Sequence, residues 1–189
     1  MRLKSKLAIV MSLVMAAVGL AAAGSEFEEI VDQSFPLAES GVVALENVNG
    51  DVSIEVWDSA EVRIFAVKKA SSQELLDGLE IKVDADGSSV RIDTEYPSMR
   101  DYDHETDTFM RVEYTLTIPK TARLDDVDLV NGNLKVVGVE GGVSVGTVNG
   151  DIDVRDCAGD AELDTVNGTI EAYINRLDLG GELEMESVN

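Results

Sequence analysis

Val130-Asn131-Gly132-Asn133-Leu134-Lys135-Val136, Val148-Asn149-Gly150-Asp151-Ile152-Asp153-Val154 and Val166-Asn167-Gly168-Thr169-Ile170-Glu171-Ala172 are three copies of one pattern. The chain stops inside a fourth, at Val188-Asn189, and the steps from Val130 are 18, 18 and 22 residues. Three places before each Val stand Val127, Val145, Leu163 and Met185. An earlier copy, Val48-Asn49-Gly50, has Leu45, Val52 and Ile54 in the matching places. Apolar residues two apart on both sides of a tripeptide indicate strands with one buried face. Asn tolerates the left-handed backbone region and Gly enters it freely, so Asn-Gly is expected to turn the chain. Identical turns at fixed spacing predict an all-β, β-solenoid or β-helix-like stack, each coil ~4.8 Å above the last. The rival is an antiparallel meander with every Asn-Gly a plain hairpin.

Residues 24–120 read as a less regular β-rich region, and 121–189 as the repeat region, the two forming one continuous domain. Val42 to Leu45, Val52 to Trp57, Val62 to Val67, Leu79 to Val83, Val90 to Thr94 and Met110 to Ile118 alternate as strands do. Asp86-Gly87 predicts a tight hairpin. Ser71 and Glu74 have capping-box spacing ahead of Leu75 and Leu76, which predicts a short helix from Ser71 to Gly78. Pro119 closes the last strand before the repeats.

At the start, Arg2, Lys4 and Lys6 precede an apolar run from Leu7 to Leu20 and the small residues Ala21-Ala22-Ala23. That order predicts a signal peptide over residues 1–23, and hence a periplasmic, cell-surface or secreted protein. A retained anchor is the rival, but an apolar stretch of about 17 residues is at the lower limit for a membrane span. Removing the segment takes three of 15 basic residues and none of 37 acidic ones, leaving 12 against 37, a net charge of −25. Such a field repels nucleic acid and anionic membranes and suits cationic partners or solubility alone. With Cys157 the only cysteine, no intramolecular disulfide forms. Cys157 falls in the phase of Val139, which predicts a small buried residue.

The segment from Leu45 through Val48-Asn49-Gly50 to Trp57-Asp58, the strand ending at Ile118-Pro119 and the run of Val-Asn-Gly coils together resemble a family of exported bacterial β-repeat proteins. That family is catalogued under a domain of unknown function and carries an adhesin label inferred from architecture. The resemblance spans about residues 40–189 and implies a solenoid-like fold with an envelope or surface location. It implies no reaction.

No catalytic residues and no cofactor are expected. Asp101, Asp103, Glu105 and Asp107 crowd one loop around His104 and form at best a weak calcium site. An EF-hand would need Gly where Thr106 stands and Glu where Val112 stands. Asn49, Gly50, Asn131, Gly132, Asn149, Gly150, Asn167 and Gly168 are expected at the coil corners, as a hydrogen-bonded asparagine ladder or as one edge of a ligand groove. Trp57 is expected to cover the core or to offer a sugar platform. The expected role is structural or adhesive, toward a surface glycan or an envelope protein. The competing roles are a carbohydrate-active β-helix working through paired carboxylates, and an assembly or regulatory partner of an envelope system. If nothing follows Asn189, end-to-end self-association through the uncapped edge is also expected.

Overall fold

The computed structural model describes residues 26–98, 108–177 and 181–189. The proposed leader, residues 1–23, lies outside them. The order is β1 (Phe27–Pro36), β2 (Val42–Asn49), β3 (Val52–Trp57), β4 (Glu61–Ala70), α1 (Gln73–Gly78), β5 (Glu80–Ala85), β6 (Ser89–Glu95), β7 (Met110–Pro119) and β8 (Arg123–Asn131). It continues with β9 (Leu134–Val137), β10 (Val143–Asn149), β11 (Ile152–Ala158), β12 (Ala161–Asn167), β13 (Ile170–Arg176) and β14 (Leu183–Ser187). The protein is all-β, as the alternation predicts.

These strands make two mixed sheets, ordered β1-β4-β7-β3-β9-β11-β13 and β14-β12-β10-β8-β2-β6-β5. Val127, Val145 and Leu163 point inward from the second sheet, and Val52, Leu134 and Ile152 from the first; all six are buried. Each Val-Asn-Gly carries the chain from the second sheet into the first, so β8 leads to β9 and β10 to β11. The rival meander does not describe the repeats: their strands pair in parallel with the equivalent strand 18 residues away, Ile152 opposite Ile170 and Asn149 opposite Asn167.

The chain does not lay its layers down in order. β2 and β3 are made before both neighbouring layers, yet they lie between the layer of β6 and β7 and the layer of β8 and β9. Val52 faces Tyr114 on one side and Leu134 on the other. Antiparallel strands finish this end of the stack, β1 against β4 in the first sheet and β5 against β6 in the second. Helix α1 packs against β1 and β4 with Leu75 and Leu76 buried.

Asp86-Gly87 is the hairpin expected between β5 and β6, with the Asp86 amide donating to Ser89 O over 3.1 Å. The helix starts one residue later than the capping-box spacing predicts. Ser72 is the cap and accepts from the Leu75 amide at 3.2 Å. Ser71 is drawn off by the neighbouring chain: its amide donates to Phe109 O, and its hydroxyl accepts from the Phe109 amide.

Candidate functional site

The corner residues come together as a column. Asn131 donates through Nδ2 to Asn49 Oδ1 at 2.9 Å, Asn149 to Asn131 at 2.8 Å, and Asn167 to Asn149 at 2.9 Å. Beside this column runs a second, in which Asp51, Asn133 and Asp151 accept from the amides of Asn133, Asp151 and Thr169 at 2.7–3.0 Å. Thr147 and Thr165, both buried, donate to the carbonyls of Gly132 and Gly150. The facing polar groups of this edge are thus engaged with one another.

The expectation that Asn takes a left-handed conformation here is overturned. None of Asn49, Asn131, Asn149 and Asn167 has positive φ, and neither has Gly132 or Gly168. Gly50 does take a positive φ, 122°, as expected of Gly at a corner, and the glycines are required by close approach as well. A β-carbon on Gly150 would lie 2.1 Å from Gly132 O, and one on Gly168 would lie 1.9 Å from Gly150 O.

Asp101, Asp103, Glu105 and Asp107, with His104, lie outside the described residues. Among the described residues no group of three or more His, Cys, Asp or Glu could hold a metal ion. Trp57 is half-buried at the end of β3, where its indole N–H donates to Glu61 O at 2.8 Å. Cys157 is buried, and burial pushes its thiol above the ordinary value.

The outer face of the second sheet carries a surface that the tripeptide pattern does not announce. Val48, Val130, Val148, Val166 and Val188 are exposed side by side across β2, β8, β10, β12 and the end of β14, at 39%, 40%, 40%, 45% and 53%. Two residues earlier on the same strands stand Glu46, Asp128, Gly146, Asp164 and Glu186, in register as a second column. Between the columns lies an open cleft of about 630 Å³, with no Lys, Arg or aromatic residue among its lining. Gly146 leaves a notch in the acidic column, flanked by Asp128 and Asp164. The parity of the strands was the available signal. If Val127 and Leu129 face inward, Asp128 and Val130 face outward.

Charge is distributed unevenly around the stack. Ion pairs such as Arg63–Asp32, Lys68–Glu29, Lys69–Glu113 and Arg155–Asp153 lie on the first sheet, and Lys82–Glu95, Arg91–Glu46 and Arg123–Asp125 on the second. Among the described residues Asp128 and Asp164 have no ion-pair partner. Burial holds the Asp128 carboxyl above the ordinary carboxylate value, and the charges of Asp126, Glu46 and Asp164 push it the same way.

No family model matches the chain, and no curated protein matches it. Among solved structures, a "putative cell adhesion protein" from Clostridium sporogenes is similar at 11% identity and a TM-score of 0.43, over 84% of this chain and 100% of that one. A "putative adhesin" from Bacteroides fragilis is similar at 11% identity and a TM-score of 0.34, over 85% of this chain and 94% of that one. A "putative lipid binding protein" from Parabacteroides distasonis is similar at 12% identity and a TM-score of 0.25, over 83% and 96%. Likenesses this distant decide nothing about the role of this chain.

Proposed function

We propose that the chain is an exported, non-enzymatic binding module of the cell envelope or surface, a β-solenoid that presents one long face to a partner. One observation carries this reading: the column of exposed valines beside a column of carboxylates in which Glu46 meets Arg91 at 3.5 Å, while Asp128 and Asp164 have no ion-pair partner among the described residues. Surface valines scattered singly are ordinary, whereas five in a row mark an interaction site. The ladder behind them supports the same reading, because a scaffold locked by its own corners holds such a face in one shape.

The test is retention of the purified protein on washed envelopes of the source organism. Replacing Val130, Val148 and Val166 together with Ser should abolish retention while leaving the melting temperature nearly unchanged. Retention that ignores this triple substitution sinks the reading.

A glycan-cleaving enzyme is the second reading. Asp128 and Asp164 stand two strand spacings apart, ~9.6 Å, near the separation of about 6.5–9.5 Å at which one carboxyl protonates the leaving group and the other activates water. The lining argues against it, since valines replace the aromatic platforms on which sugar rings stack. Release of reducing ends from envelope glycans, lost in Asp164→Asn, would favour the enzyme.

A further inference from the structure

Resting on the reading of this face as a binding surface, we propose that its occupant is a basic amphipathic α-helix of a partner protein. The helix lies along the stack across β2, β8, β10, β12 and β14. Its apolar stripe covers the valine column, and its Lys or Arg flank covers Asp128, Asp164 and Glu186, Glu46 being paired already with Arg91.

Spacing favours a helix over an extended peptide. Neighbouring valines stand one strand spacing apart, ~4.8 Å. A helix repeats its face every ~5.4 Å and drifts by only about half a strand spacing over four turns. An extended segment repeats its face every ~6.8 Å and slips by a whole strand within about three repeats. Nor does the outer face offer free backbone groups, because the strands of a sheet bond edge to edge. From Val48 to Val188 the column is four spacings, ~19 Å, the length of about 13 helical residues.

Charge fixes the flank. The acidic column lies one side-chain repeat, ~6.8 Å, from the valines, within reach of a Lys or Arg stem laid over them. Its carboxylates stand on a chain with net charge −22, so a cationic helix is drawn in and an acidic one repelled. The notch at Gly146 is floored by backbone and flanked by Asp128 and Asp164, two carboxylates to meet a cationic head group. A β-carbon there would stand 3.0 Å from Asp128 Oδ1, so any side chain at 146 narrows the notch.

The probe is a fluorescent synthetic helix of about fourteen residues, with Leu along one stripe and Lys on its flank, titrated against the full chain by anisotropy. One control carries Glu on the flank, and another carries Ser in place of Leu. The Lys–Leu helix should bind at least about tenfold more tightly than either control and weaken with added salt. Val148→Ser with Val166→Ser, Gly146→Val and Asp164→Asn should each weaken it by about tenfold or more, with melting temperatures showing that the fold is intact. Equal binding of the Glu helix, or indifference to the valine substitutions, overturns the proposal. Tighter binding of octylammonium than of the helix makes the occupant a small amphiphile and also overturns it. If the helix fails while envelope retention still depends on the valines, only the helix falls. If retention ignores them too, the binding face falls with it.

Discussion

Gly132 rests on Gly50 so closely that a β-carbon at position 132 would stand 2.1 Å from the Gly50 carbonyl oxygen, across 82 residues of sequence. The obstacle is backbone, which cannot turn aside as a side chain does. Gly132→Ala should therefore cost toward the upper end of the about 1–3 kcal/mol typical of overpacking, read as a lower denaturation midpoint. Gly146→Ala is the control, because its nearest neighbour is the movable tip of Asp128. It should change stability by less than about 0.5 kcal/mol. Equal losses at the two sites would contradict the close-approach account.

Asn149 holds two rungs of the corner ladder, donating to Asn131 and accepting from Asn167. Asn149→Ala removes both, and at about 1 kcal/mol for each net hydrogen bond the loss should be about 1–2 kcal/mol, less for solvent access. For a chain of this size that lowers the melting temperature by about 2–8 °C. An unchanged melting curve would reduce the ladder to decoration.

Asp128 should act on stability with the opposite sign. Its folded pKa is raised above 3.8, first by burial and then by three like charges, so the folded state holds the proton more tightly than the unfolded one. The resulting stabilisation is complete below the ordinary value and is lost as pH rises through the raised one. At neutral pH the charge is a cost. Asp128→Asn should melt higher than the parent there, and the gap should close as the solution is acidified below the ordinary carboxylate range. A lower melting temperature at neutral pH would show that the charge has a partner after all.

Tyr96 ties the ladder to the antiparallel end of the stack. Its hydroxyl donates to Asn47 Oδ1 at 2.8 Å and accepts from the Asn49 amide at 3.0 Å. Burial pushes its pKa up to about 12, so its stabilising contribution, intact below pH 10.0, is lost as pH climbs through about 12. Absorbance of tyrosinate should register this late titration. Tyr96→Phe, which leaves the buried Asn47 short of a donor, should cost about 1–3 kcal/mol.

The inward face was legible because a buried strand shows a period of two, and Val127, Val145 and Leu163 keep it through successive units. The corners are legible in position and only partly in cause, since Gly50 takes a positive φ while Gly132 and Gly168 do not. Asn-Gly has two physical uses, a left-handed turn and close backbone approach, and a single chain does not say which applies until a neighbour is placed on Gly132. The helix start failed for a similar reason, since Ser71 satisfies the capping spacing but is claimed by Phe109. The outer face was in plain view. Val130 belongs to the repeating tripeptide and so reads as part of the turn, although strand parity sends its side chain to solvent together with Asp128. What no local pattern could supply is the position of β6 and β7, which depends on pairings between residues far apart in sequence.

That displaced layer sets the timetable of assembly. When β2 and β3 leave the ribosome they have no strand on either side, and the first asparagine rung cannot close until residue 131 has been synthesised. Closing that rung is therefore a long-range event involving more than half the polypeptide. Afterwards the regime changes, because each further 18 residues finds a finished template and adds to it by local contacts, as a zip closes once its slider is engaged.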